Sequence, residues 1–155
     1  MAGRIDARLA DLGITLPQPA RPVANYLPYV VAGDLVFISG QLPLIDGTIG
    51  WIGKLGAEIS VEEGGRAARQ CFVNLLAQLR DACGGELDRV ARVVRLGGFI
   101  AAPPAFTQHA TVMNGASDLA VAVFGEAGRH ARSTIGVPSL PLDCAVEVEG
   151  TFRIA

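Results

Sequence analysis

A chain of 155 residues, half of them apolar and 18% charged, is long enough to bury one core and is unlike disordered proteins. Its net charge of −2 gives no electrostatic reason to seek a nucleic acid or an anionic membrane, so we expect neither as a partner. Three cysteines without a CxxC spacing argue against a disulfide framework or a zinc site and favour a reducing compartment, the cytoplasm.

The first 23 residues are predicted to be an N-terminal appendage. Apolar residues at helical spacing predict a short amphipathic helix over Arg4 to Leu12. Pro17, Pro19 and Pro22 then end it and predict an extended connection. We therefore divide the chain into residues 1–23 and a single domain of residues 24–155. The N-terminus lacks the continuous apolar stretch of a signal peptide.

A β-hairpin is predicted over Tyr29 to Gln41. Two apolar runs flank Ala32-Gly33-Asp34, which has the composition of a tight turn. The glycine-rich segment that follows has room for one short edge strand around Thr48 to Trp51.

The clearest helix is predicted from Val61 to about Cys83. Ser60 has the pattern of an N-cap, Glu63 completes a capping box, and Gly84-Gly85 ends the helix. Cys71 and Cys83 lie on or beside its apolar face, which predicts that both pack in the core.

A long strand is predicted over Val90 to Ala102, where the central Gly97-Gly98 pair indicates a bulge or a close backbone approach. Phe106 to Phe124 is predicted to be one interrupted helix or two short helices. The predicted break lies at Asn114-Gly115.

The C-terminus is predicted to be a second hairpin. Arg132 to Val137 forms its first strand, and residues 146–154 form its second strand with alternating apolar and polar residues. The predicted order β-β-α-β-α-β-β is an α+β fold with its helices on one face of a sheet. Oligomerisation would cover the other face.

Two separated motifs carry a family resemblance. The segment from Leu35 to Pro43 reads LVFISGQLP, and the C-terminal part contains ARS at residues 131–133, LP at residues 140–141 and VEVE at residues 146–149. In these motifs and in their order around the main helix, the chain resembles the YjgF/YER057c/UK114 (reactive-intermediate deaminase) family, in a longer subgroup.

The resemblance implies a chorismate-mutase-like fold, a homotrimer with clefts between subunits, and no cofactor. Many members hydrolyse 2-imino and enamine acids to 2-keto acids and ammonia. By position, the family's catalytic residues would be Arg132 and Glu147, and its substrate-binding residues would be Tyr26, Gly40, Thr134 and Asn114. Tyr29 competes with Tyr26 for the tyrosine's position.

The chemistry of these side chains suits an imino acid. A planar guanidinium at Arg132 can hold the substrate carboxylate through two charge-assisted hydrogen bonds. Glu147 could direct a water at the imine carbon and exchange protons with it. A nearby Arg132 would lower the pKa of Glu147, and Glu149 on the same strand face could replace it.

Other functions stay open at this stage. The same clefts could bind a small carboxylate, such as a 2-keto acid, without turnover. An endoribonuclease is a minor alternative, which the negative net charge disfavours, and a chorismate mutase is suggested by fold alone. His109 and His130 have no partners at metal-ligand spacing, so we predict no metal site. His130 is close to Arg132 in the sequence and could line the cleft, but the favoured prediction is a solvated loop residue.

Overall fold

The computed structural model of the protein describes residues 2–155. The helices are α1 (Arg4–Asp11), α2 (Val61–Ala82) and α3 (His109–Phe124); the strands are β1 (Tyr29–Ala32), β2 (Leu35–Gln41), β3 (Leu44–Ile45), β4 (Thr48–Ile49), β5 (Val90–Ala101), β6 (Ala131–Val137) and β7 (Val146–Ile154). Among residues 2–155, no helix is long and apolar enough to cross a membrane.

Five strands form one sheet in the order β1-β2-β7-β5-β6. All neighbours are antiparallel except β5 and β6, which are parallel and are joined through α3 as the crossover helix. Strands β3 and β4 pair separately as a small hairpin. The last strand in the sequence is therefore the central strand of the sheet.

The two faces of the sheet differ in character. In β7, Val146, Val148 and Phe152 are fully buried beneath the helices, and the residues between them point to the other face. Helices α2 and α3 cover one face, as the sequence predicted. The uncovered face, which we call the open face, presents Phe37 and Ile135 at 44% and 52% exposure.

Helix α2 begins and ends where the sequence predicts. The Ser60 hydroxyl accepts a hydrogen bond from the Glu63 amide at 3.2 Å, and the Glu63 carboxylate accepts one from the Ser60 amide at 2.8 Å. Cys71 and Cys83 are buried against the core, which confirms their predicted packing.

The predicted C-terminal hairpin is wrong. Strand β6 pairs with β5 at the sheet edge, whereas β7 lies between β2 and β5, so β5 separates the two strands. The eight residues between β6 and β7, 138–145, are too many for a tight turn and carry the chain across the end of β5. A local sequence pattern predicts that both strands exist, but it does not indicate which strand each of them pairs with.

The predicted break at Asn114-Gly115 is also wrong, since α3 is continuous from His109 to Phe124. Gly115 instead lies where α3 crosses α2. A Cβ atom at this position would overlap the backbone carbonyl of Gly65 on α2. The glycine therefore permits close helix packing, and the packing outweighs the weak helix propensity of glycine.

Of the two alternatives predicted for the Gly97-Gly98 pair in β5, the close approach is confirmed and the bulge is not. The strand bulges at Val90/Arg92 and Val93/Arg95 rather than at Gly97-Gly98. Side chains approach the glycines from both faces, because a Cβ at Gly97 would meet the Glu149 carboxylate and one at Gly98 would meet the Met113 thioether.

Helix α1 is present as predicted and docks on the helix layer. Ile5 and Leu9 are buried in the core cluster. The Asp88 carboxylate accepts hydrogen bonds from the amides of Arg4 and Ile5 at 2.8 and 2.7 Å, and the bonds from Ile5 and then Arg4 lower the pKa of Asp88. Asp6 forms an ion pair with Arg80 of α2.

Candidate functional site

Arg132 lies on the edge strand β6 and points to the helix side of the sheet. Its register partner on β5 is the buried Leu96, and neighbouring residues of parallel strands share a face. The guanidinium donates to the Ser117 hydroxyl at 3.0 Å and to the Ala110 carbonyl at 3.3 Å, both on α3. The side chain is thus half-buried and held in one orientation at the edge of the molecule.

Thr134 and Asn114 lie at the same edge. Thr134 follows Arg132 by two residues, so it faces α3 as well, and its buried hydroxyl has no hydrogen-bond partner among residues 2–155. Asn114 is exposed on α3 at helical spacing from Ala110 and Ser117. We call this group, Arg132 with Thr134, Asn114 and Ser117, the arginine edge.

Glu147 lies on the open face in the centre of the sheet. Its carboxylate packs directly over Gly40 of β2, where a Cβ atom would overlap it. Burial, and then the negative charge of Glu149, raise the pKa of Glu147. The sequence predicted a lowered pKa from a neighbouring arginine, and this is wrong because Arg132 points to the opposite face.

Tyr26 and Gly40 line one cavity of about 300 Å³ near the start of β1, together with Arg21, Ser39 and Leu142. Tyr26 is 55% exposed there. The hydroxyl of Tyr29 instead donates to an Asp81 carboxylate oxygen at 2.8 Å on α2, which directs it into the helix layer. Tyr26, Gly40 and the adjacent Glu147 form a second group, which we call the glutamate pocket.

Within one chain, the arginine edge and the glutamate pocket lie apart. Arg132 and Glu147 lie on opposite faces of the sheet, with strand β5 between their strands. The prediction that they are neighbours across a hairpin is therefore wrong.

A larger groove of about 550 Å³ lies among the helices and is lined by Arg66, Arg69 and Asp118. The predicted site residues do not line it.

Sequence reasoning missed Ser117, and for His130 it favoured a solvated position over one that lines the cleft. The Ser117 hydroxyl oxygen lies 2.9 Å from Nε2 of His130, and Nδ1 of His130 lies 2.6 Å from the Gly128 carbonyl oxygen. Both side chains are half-buried beside Arg132 rather than solvated. The only sequence signal was the helical spacing of Ser117 from Ala110 and Asn114, which could not be connected to β6 without the fold.

A sequence model described as "YjgF/chorismate_mutase-like, putative endoribonuclease" matches residues 6–150. The chain belongs to the YjgF/chorismate-mutase-like family. This YjgF-like chain is 48% identical over 154 residues to Protein TCP17 of Trypanosoma cruzi, covering 99% of this chain and 96% of that protein.

Solved structures agree with the family. The Atu1372 protein of Agrobacterium tumefaciens is 43% identical, with a TM-score of 0.92 over 97% of this YjgF-like chain and 92% of that one. Escherichia coli TdcF, solved with bound serine, is 22% identical with a TM-score of 0.65 over 89% of this chain and 94% of that one, and it supports the fold alone. Across residues 2–155 of the YjgF-like chain, His, Cys, Asp and Glu side chains form no group of three or more that could hold a metal.

Proposed function

We propose that this YjgF-like protein hydrolyses 2-imino acids, and the enamines that interconvert with them, to 2-keto acids and ammonia in clefts between copies of the chain. The observation that carries the proposal is the state of Arg132. Two of the five guanidinium N–H groups are used to hold it on α3, which leaves three directed away from those partners. A fork held in this way is suited to the carboxylate of a small organic acid.

The separation of the two groups favours a cleft built by two copies. Strand β6 is a sheet edge, and the glutamate pocket lies toward the opposite edge, beside β1 and β2. A head-to-tail contact would place the arginine edge of one copy against the glutamate pocket of the next. If the contact repeats with threefold rotation, it closes into a ring that contains three identical clefts.

Glu147 supplies the chemistry in this proposal. Its raised pKa makes the ionised carboxylate a better proton acceptor than an ordinary surface glutamate. It directs a water at the carbon of the protonated imine, takes a proton from that water and returns the proton to the nitrogen, which becomes an ammonio leaving group. The imino nitrogen departs as ammonia, and the carbon retains the water oxygen as a ketone.

We choose the ligand class by analogy with TdcF, with which this chain shares the fold. The serine bound in that protein carries a carboxylate beside a nitrogen-bearing carbon. A 2-imino acid has the same two groups on adjacent carbons. We therefore propose short 2-imino acids as the substrate class.

The decisive experiment generates 2-iminopropionate in situ from alanine with an amino-acid oxidase, while semicarbazide competes for the imine. The wild-type protein should lower semicarbazone formation by hydrolysing the imine first. Arg132→Ala should reduce kcat/KM roughly 30-fold or more because the carboxylate loses its charged partner. Arg132→Lys should fall between them, since it keeps the charge but not the fork.

Arg129→Ala is the matched control, because Arg129 is 70% exposed and close to Arg132 in the sequence. It should behave as wild type. Full activity in Arg132→Ala would refute the site assignment. Calorimetric binding of pyruvate by a wild-type protein that turns over no imine would instead favour a carboxylate-binding protein.

A further inference from the structure

Ser117 and His130 form a hydrogen-bonded pair beside Arg132. His130 Nδ1 lies 2.6 Å from the Gly128 carbonyl oxygen, which can only accept a hydrogen bond. In the neutral ring, Nδ1 therefore carries the proton, and Nε2 presents a lone pair. The Ser117 hydroxyl, 2.9 Å from Nε2, donates to that lone pair.

The Ser117 oxygen has a second partner, which connects the pair to the arginine edge. Arg132 donates to it at 3.0 Å, so the oxygen is both hydrogen-bonded to a base and next to a fixed positive charge. A serine arranged with an oriented histidine in this way gives up its proton readily, because the base accepts it and the cation stabilises the oxygen.

We propose that Ser117 and His130 act as a proton-accepting pair for the substrate held by Arg132, a role that rests on the proposed function. Ser117 contacts the substrate and is the catalytic residue; His130 acts through Ser117 and is a positioning residue and proton store. Their step is the last one, the conversion of the tetrahedral carbinolamine into product.

The protons and electrons of that step balance. The substrate enters as the protonated imine (iminium), so after Glu147 has returned its proton the carbon carries one hydroxyl and one ammonio group. The C–N bond breaks and its electron pair leaves with nitrogen as ammonia, while an oxygen lone pair forms the C=O bond. The hydroxyl proton passes to the Ser117 oxygen as the Ser117 proton passes to His130 Nε2. His130 then releases a proton to the departing ammonia.

The test uses the full-length protein and the imine assay described above, with kcat and KM measured separately. Ser117→Ala and His130→Gly should each lower kcat by about 100-fold while KM changes little. Ser117→Thr, which keeps a hydroxyl, should retain most of the activity. Ser139→Ala, at an exposed position in the connection after β6, is the control and should match wild type.

Added imidazole distinguishes a His130 side chain that accepts protons from one that is needed only for the structure. It should restore turnover to His130→Gly but not to the double variant Ser117→Ala/His130→Gly. Unchanged kcat in both single variants, or a loss confined to KM, would overturn the role of the pair and leave the proposed function standing. A wild-type protein without imine turnover would refute the proposed function and this role together.

Discussion

Glu147 and Gly40 show how one residue determines what its neighbour can be. The carboxylate occupies the space in which any side chain at position 40 would place its Cβ atom. Burial beside Gly40 and repulsion from Glu149 both disfavour the charged form of Glu147, which is why its pKa is raised. A chain selected for stability alone would gain by losing this charge, so its retention is consistent with a functional role.

The raised pKa leads to a prediction for stability. The native state binds the Glu147 proton more tightly than the unfolded state does. The stabilisation is therefore present below the ordinary pKa of 4.5 and is lost as pH rises through the higher native pKa. Glu147→Gln keeps the neutral shape and should raise the urea midpoint at about pH 7 but not at about pH 4.

Glu86→Gln is the matched control for this measurement, because Glu86 is exposed in the loop after α2. It should leave the midpoint unchanged at both pH values. A fall in the midpoint of Glu147→Gln at about pH 7 would mean that the native state favours the carboxylate, contrary to the burial argument.

At the scale of elements, the contact between α2 and α3 brings together a glycine of each helix, Gly65 and Gly115. A Cβ atom on Gly115 would overlap a backbone carbonyl, which cannot move aside as a flexible side chain can. A Cβ on Gly65 would come no closer than 4.0 Å to the Val112 carbonyl oxygen. The two glycines face each other and yet should respond oppositely to the same substitution.

Gly115→Ala should therefore destabilise the protein by about 1–3 kcal/mol, despite the better helix propensity of alanine. Gly65→Ala is its matched counterpart and should stabilise the protein by up to about 1 kcal/mol. Urea unfolding followed by circular dichroism measures both. Equal effects of the two substitutions would show that helix propensity, rather than the close approach, determines the outcome.

How well the sequence predicted these elements depends on whether each feature is determined by neighbouring residues or by segments far apart in the sequence. The capping box at Ser60 and the alternation in β7 are local patterns, and both predictions are confirmed. Strand pairing is not local, so the partners of β6 and β7 could not be inferred. Gly115 was ambiguous, because a glycine permits either a break or a close contact and only the neighbouring helix decides between them.

The same limit applies to the candidate site. Family motifs picked out Arg132 and Glu147 as residues, but their positions on opposite faces depend on the sheet order. Ser117 had no motif and became a candidate only when α3 was placed against β6. The roles of these residues, and the chain division at residues 23 and 24, stay predictions.

At the scale of the whole molecule, the open face is the side of the sheet that α2 and α3 leave uncovered. Phe37 and Ile135 expose large apolar side chains there, at 44% and 52%, among the charged residues of β5 and β7. A sheet face of this kind is suited to burial against other copies of the chain. We therefore expect a trimer with the open faces directed inward.

Light scattering coupled to gel filtration should give three times the 16.1 kDa mass of the chain. Ile135→Lys should dissociate this assembly, because it would place a charge in an apolar contact. Val121→Lys is the control, since Val121 is 40% exposed on the helix side of the molecule; it should leave the mass unchanged. A monomeric wild-type protein would contradict both the trimer and the composite cleft.

The central position of β7 has a consequence for biosynthesis. Until β7 leaves the ribosome, the β1–β2 hairpin and the β5–α3–β6 unit have no strand to join them, and each presents an unpaired edge to the cell. A nascent or truncated chain would lack the middle of its sheet rather than its margin. Loss of β7, residues 146–154, should therefore be far more harmful than loss of an edge strand, with chaperones needed to shield the two separated halves.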